Sequence, residues 1–496
     1  MRKLMVALAI AGALASTTAL TPAFAQARTD VNVGLVLEPP NLDPTAGAAA
    51  AIDEVVYANV FEGLTRFASD GSVIPALAES WEISEDGLTY TFHLHSGVKF
   101  HDGSDMDAED VKFSLERAMA PDSVNAQKAL FADIASVEAV DPQTVRITLS
   151  KPNGNFLFNM AWGDAVIVAP ESAADNATKP IGTGPFTFVE WVQGDHVTLA
   201  RNPDYWGEPV KLEGATFKFI GDPTAAFAAM MAEDIDVYPN YPAPETVSQF
   251  EGDPRFKVVV GSTEGETILA MNNVKAPLDN AKVREAVAHA IDRQAIIDGA
   301  MFGYGTPIGA HFAPHHPDYV DLTGLSNYDP EKSKALLAEA GVGDLTLSLK
   351  LPPVEGYARR GGEIIAQQLA AVGIKTETTN LEWAQWLSEV FTERNFDLTI
   401  ISHTEPLDIE IYGRDDYYFQ YLDPGFRQIM TDLGNETDPA KRSELFKAAQ
   451  QNIAENYVNG FLFQLAKVMV ANAKLEGMWA NAPTQATDLT GVYWAE

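Results

Sequence analysis

The sequence predicts an α/β protein built from more than one structural unit. Three observations carry this. The chain has 496 residues, more than one simple hydrophobic core accommodates. Hydrophobic residues make up 46%, the proportion of a folded globular chain. From Pro277 onward, helix-periodic segments alternate with short β-branched runs, the texture of βαβ units.

Taken in order, residues 1–25 read as an export leader. Arg2 and Lys3 form a charged start, Leu4–Leu20 is mostly apolar or small, and Ala23-Phe24-Ala25 is an A-x-A cleavage pattern, so the mature chain is expected to begin at Gln26. No later run has the length and apolarity of a membrane span. Cysteine is absent, which excludes disulfides, thiolate nucleophiles and Cys-ligated metal. It also excludes lipid-anchored export of the kind that modifies a cysteine at the cleavage site. The expected location in a bacterium is free in the periplasm, or outside the cell as a secreted protein. The formal net charge of −35 argues against broad nucleic-acid binding or docking on anionic lipid, both of which need basic surface.

Val31–Leu37 alternates as a first strand and ends in the proline-punctuated turn Glu38–Pro44. Asp53–Phe61 is expected to be a short helix. Trp81–Ile83 and Leu88–Leu94 flank Ser84-Glu85-Asp86-Gly87, a hairpin signal. Asp107 is placed to cap a helix over Ala108–Met119. Strands are expected at Val145–Leu149, Val197–Ala200, Phe217–Ile220 and Ile235–Tyr238, with a helix at Pro223–Ala232. The glycine-rich turn Ile181–Phe188 leads into a strand, whereas phosphate cradles open a helix. In the second half, helices are expected at Asn280–Ile291, Arg293–Phe302, Pro330–Ala340, Ala358–Val372, Trp383–Arg394 and Lys441–Tyr457. They alternate with strands at Leu345–Leu351, Ile374–Thr379, Leu398–Ile401 and Gly460–Leu465.

Phe396–Tyr421 is the stretch richest in chemistry. A buried-strand run empties into Glu405, Asp408, Glu410, Asp415 and Asp416, interleaved with Tyr412, Tyr417, Tyr418, Phe419 and Tyr421. Ligands of open α/β sheets collect outside strand carboxyl ends. Acids and aromatics there suit a ligand with a cationic group and an apolar body. The alternative is a solvated acidic loop beside an aromatic core.

Two blocks carry a family likeness. Asp86–Arg117, DGLTYTFHLHSGVKFHDGSDMDAEDVKFSLER, and Ile181–Gly207, IGTGPFTFVEWVQGDHVTLARNPDYWG, resemble the large extracytoplasmic solute-binding proteins of the dipeptide/oligopeptide/nickel class of ABC importers, family 5. Weaker matches follow in order at Glu38-Pro39 with Leu42-Asp43-Pro44, Met271-Asn272-Asn273, Val283–Ala286 and Tyr328–Lys332. The resemblance implies a large two-lobe, three-subdomain periplasmic-binding-protein fold with a hinge and an interlobe ligand cleft. Lobe I would comprise residues 27–270 plus 468–496, with an inserted subdomain near 73–180; lobe II would be residues 271–467. It further implies handover of a captured solute to an inner-membrane permease, with the binding protein a monomer and no resident cofactor. His93, His95 and His101, within the first block, are expected to be structural.

In peptide-binding members an aspartate after the late lobe II strand pairs with the ligand's α-ammonium. The matching segment here is Ser402–Asp408, which lacks the usual tryptophan and the Asp-Pro ending. Asp408 is the first candidate for a cation partner and Glu405 the second. Trp383, Trp386 and Tyr412 are candidate pocket walls, with helix core as the alternative. Arg359 or Arg360, at a helix start, could take a ligand carboxylate, or be a surface pair. Glu38 and Asn41 at the first strand end, and Tyr241 with Tyr238, are candidates from lobe I. His311, His315, His316 and Asp318 form a rival metal or haem-iron constellation in a proline-bounded loop. A hydrolase is not expected: G-x-S-x-G and H-E-x-x-H are both absent.

Overall fold

The computed structural model describes residues 28–47, 49–343 and 345–496; the leader expected over residues 1–25 lies outside them. The chain opens with strand β1 (Asp30–Leu35) and helix α1 (Ala50–Val56). This helix stops short of the expected Phe61 because Tyr57 is extended and Ala58 takes a φ of +57°.

A first sheet is built from β2 (Ala78–Ile83), β3 (Thr89–Leu94), β4 (Ile134–Asp141) and β5 (Thr144–Leu149), in the antiparallel order β2-β3-β5-β4. Period-2 patterning turns Tyr90, Phe92 and Leu94, with Val145, Ile147 and Leu149, to one face. Val111 and Leu115 of helix α2 (Ala108–Met119) join the same core. Asp107 caps that helix as expected: its carboxylate accepts from Glu109 N at 2.8 Å, while Asp110 accepts from Asp107 N at 2.9 Å. Such reciprocal caps contribute about 1 kcal/mol. Strand β4 is not evident from the sequence, since two register shifts and mostly exposed positions erase its alternation.

The main sheet has eleven strands and spans the molecule. Its remaining strands are β6 (Phe186–Val192), β7 (His196–Arg201), β8 (Gly214–Phe219), β9 (Val237–Tyr238), β10 (Phe256–Met271), β11 (Leu345–Leu351), β12 (Ile374–Asn380), β13 (Leu398–His403) and β14 (Asn459–Asn472). Ten run in the order β12-β11-β13-β10-β14-β9-β1-β8-β7-β6, and Thr306–Pro307 adds to β14. In the second half β11 pairs in parallel with β12 and β13. The intervening helices include α3 (Gly361–Ala371), α4 (Pro424–Asn435) and α5 (Pro439–Glu455).

Two long antiparallel strands join the lobes. Phe256–Ser262 of β10 pairs with Ala466–Asn472 of β14, beside β9. After a register shift, Glu266–Ala270 pairs with Asn459–Gln464, beside β13. The strand β10 went unread in the sequence because Gly261, Gly265 and two glutamates interrupt its apolar runs. Helix α4 also went unread: Phe426 and Leu433 are its only buried residues, leaving a thin apolar stripe.

The two blocks that carry the family likeness meet at two histidines, His95, whose ring lies 4.5 Å from that of Trp206, and His101. His101 Nε2 lies 2.9 Å from Gly184 O, and Gly182 N donates to His101 Nδ1 at 3.3 Å. A Cβ on Gly182 would sit 2.0 Å from Val60 O. The glycine-rich turn is therefore a site of close backbone packing.

Candidate functional site

Where β10 crosses between lobes, its strand period sends Glu264 and Glu266 to the same side. They meet a cavity also lined by His311, Phe312, Ala313, His316, Leu407, Asp408 and Ile409. Its volume is about 10 Å³, space for roughly one water molecule.

The loop after Thr306–Pro307 delivers the histidines, and the turn after β13 delivers Asp408. That turn is reached through Leu407, whose φ of +58° is a left-handed conformation costing roughly 1 kcal/mol for an L-residue. His311 Nε2 lies 2.8 Å from Asp408 Oδ1. Its Nδ1 lies 3.2 Å from Tyr412 OH, which accepts from Asn459 Nδ2 at 3.2 Å. His403, the last residue of β13, faces the other carboxylate oxygen, with Nδ1 to Asp408 Oδ2 at 3.6 Å. Its Nε2 meets Tyr418 OH at 3.2 Å and its Nδ1 meets Tyr417 OH at 3.3 Å. His315 Nδ1 meets Ser262 Oγ at 2.7 Å, and its Nε2 lies 2.7 Å from Glu264 Oε1 at ion-pair distance without hydrogen-bond geometry. Glu266 differs: its Oε2 is buried and has no hydrogen-bond partner among the described residues.

Electrostatics follow from burial. Desolvation, with the Glu264 and Asp408 carboxylates close by, pushes the Glu266 carboxyl well above its ordinary range. Burial also raises Glu264, against the pull of His315. His403 and His316 are each pushed down to about 4, burial outweighing the neighbouring Asp408 and Asp318 respectively. Both rings are thus neutral near pH 7.

A second set of contacts ties the loop after β5 to helices α4 and α5. Gly154 N, in the loop after β5, donates to Gly434 O at 2.9 Å. Arg442, in the first turns of α5, donates to Leu433 O at 2.6 Å, Glu436 O at 3.1 Å and Asn155 Oδ1 at 2.5 Å.

Of the candidates expected from sequence, Asp408 and Tyr412 come together with the histidine loop. The others line other surroundings. Glu405 is exposed and accepts from Thr404 N. Trp386 is buried with Nε1 on Thr399 Oγ1 at 2.9 Å, while Trp383 is 46% exposed and stacks on it at 5.3 Å. Arg359 lies 3.9 Å from Glu382. Glu38 accepts from Trp191 Nε1 and Gly194 N, Asn41 accepts from Asp43 N, and Tyr241 meets Thr246 Oγ1 inside a buried aromatic cluster. None of these is among the cavity-lining residues. Sequence reading missed Glu264, Glu266 and His403. The signal for the glutamates was available: acids at alternate positions inside an otherwise β-branched and apolar run.

The pattern of the bacterial extracellular solute-binding proteins, family 5 Middle, matches residues 72–451. The chain belongs to this family. It is 33% identical over 468 residues to the glutathione-binding protein GsiB of Pectobacterium atrosepticum, covering 90% of each chain. It is 33% identical over 362 residues to heme-binding protein A of Haemophilus influenzae, covering 66% of this chain and 65% of that one. Among solved structures, HbpA2 from Haemophilus parasuis superposes with a TM-score of 0.86 at 26% identity, covering 94% of this chain and 100% of that one. As a family 5 solute-binding protein of ABC importers, the chain is a binder and not an enzyme.

Proposed function

We propose that this protein captures a short peptide or amino-acid-like solute with a cationic end in the periplasm and passes it, as a monomer, to an inner-membrane ABC permease. The observation that carries the reading is the acid-rich cavity where β10 crosses between lobes, lined by Glu264, Glu266 and Asp408. The glutathione-binding relative supports it, glutathione being a peptide-like compound with an α-ammonium. In this reading residues 27–270 with 468–496 close on residues 271–467, and the subdomain of residues 73–180 rides with the first group. A cavity of about 10 Å³ admits such a solute only when the lobes part, a hinge motion about the crossing strands. Preferential affinity for the closed form then shifts the population shut.

A second reading has its own observation. One ring nitrogen each from His311 and His403 and an oxygen of Asp408 lie within 4.8 Å of one another, a donor set suited to a nickel chelate or haem iron. The heme-binding relative belongs with this reading.

A thermal-shift screen of protein unfolded and refolded to strip bound solute separates the two. The panel holds di- to pentapeptides, glutathione, amino-acid-like compounds, oligosaccharides, Ni²⁺ with small chelators, and haem. A ligand at about 100 times its Kd adds ~2.7 kcal/mol of stability. Shifts with peptides or amino-acid-like compounds support the first reading. Shifts confined to metal or haem, and lost in His311→Ala, replace it with the second.

A further inference from the structure

Buried carboxylates are costly unless paired or hydrogen-bonded, so each acid of the cavity can be asked what answers it. Asp408 is answered by His311 at 2.8 Å and faces His403 at 3.6 Å. Glu264 is answered by His315 at 2.7 Å. Glu266 is 3% exposed, lines the same cavity, and has no partner on Oε2 among the described residues. No lysine or arginine is among the cavity-lining residues. The His311 and His403 ring nitrogens already meet tyrosine hydroxyls or Asp408, so a metal ion would have to displace existing contacts. A cationic ligand group would displace none at Glu266 Oε2, the Gln464 side chain being the partner of the rest of that carboxyl group.

We propose that Glu266, and not Asp408, is the residue that receives the cationic group of the bound solute, and that this selects ammonium- or guanidinium-bearing compounds. The inference rests on the peptide-like reading of the site. The position is set by backbone rather than by loop. Glu266 pairs across the sheet with His403 on β13 and Gln464 on β14, so its carboxyl is anchored on the central ladder while Asp408 sits on a strained turn. Asp408 then holds the histidine loop in place and acts on the solute through that loop.

Isothermal titration on the stripped protein tests this with named probes: Ala-Ala-Ala, its N-acetylated form, glutathione, L-arginine, agmatine, Ni²⁺ and haem. The expected result is binding by amine- or guanidine-bearing probes, at least tenfold weaker binding after N-acetylation, and at least tenfold weaker binding of the free amine by Glu266→Gln. Glu410→Gln, which alters an exposed acid on the neighbouring turn, should bind as the wild type does. The acetylation arm uses the wild-type protein, so it stands even where a variant fails to fold. An unchanged Kd in a folded Glu266→Gln overturns the role of Glu266 and leaves the peptide reading standing, whereas equal affinity for free and acetylated peptide overturns that role together with the cationic end of the proposed solute. Binding of Ni²⁺ or haem alone, or of no probe, overturns both.

Discussion

His311 Nε2 and Asp408 Oδ1 stand 2.8 Å apart, tying the proline-bounded histidine loop to the acidic turn after β13. Because the contact is nearly buried, the two substitutions that remove the charge should behave differently. Asp408→Asn retains an acceptor oxygen for the His311 N–H. Asp408→Ala orphans it, at a cost of about 1–3 kcal/mol. Urea denaturation is expected to show the alanine variant that much less stable than the asparagine variant.

Arg442 offers a way to change affinity from a distance. It donates to Leu433 O and Glu436 O within its own lobe and to Asn155 Oδ1 across the cleft rim. In the proposed hinge closure, Arg442→Ala removes a bridge made only when the lobes are shut. Apparent affinity scales with the closed fraction, and about 1.4 kcal/mol is tenfold. A roughly tenfold rise in Kd by calorimetry is expected, with a larger radius of gyration in solution scattering.

Gly182→Ala tests the scaffold. The added methyl would lie 2.0 Å from Val60 O, and the backbone there is held by His101. Overpacking of this kind costs roughly 1–3 kcal/mol. Chemical denaturation should show that loss, while ligand affinity of the folded fraction stays unchanged because the turn contributes no residue to the cavity lining.

Asp164 predicts a pH dependence. Burial raises its carboxyl from 3.8 to about 7, and Oδ1 has no hydrogen-bond partner among the described residues. The folded state keeps this proton up to about pH 7, whereas the unfolded chain loses it near 4. The folded state therefore binds more protons across that window, and stability falls as pH rises through it. Asp164→Asn removes the term. It is expected to be more stable than the wild type at pH 8, by about 4 kcal/mol in chemical denaturation, with little difference at pH 4.

Much of the fold was legible because its segments obey a simple period. Strands Leu345–Leu351 and Leu398–His403, and the helix after Asp107, lie where alternation, apolar runs and capping residues place them. The strand Phe256–Met271 broke the rule because it serves both lobes: its first half is half-exposed, its second half fully buried, and acids sit between. The site was legible in pieces. Asp408 and the histidine loop each drew attention as rival sites, yet they touch. One-dimensional patterning reports which face of an element is apolar, and says nothing about which two loops a sheet brings together. Glu266 was missed for a related reason, since an acid inside a strand ordinarily signals an exposed face.

The shared ladder of β10 and β14 has a thermodynamic consequence. Neither lobe owns these strands, and each would lose paired backbone and core surface if the other melted. Two lobes on a flexible tether would unfold in separate steps. Here the eleven-stranded sheet makes their melting interdependent. A calorimetric scan is expected to show one endotherm, with van't Hoff and calorimetric enthalpies in agreement: two bodies for capture, one unit for denaturation.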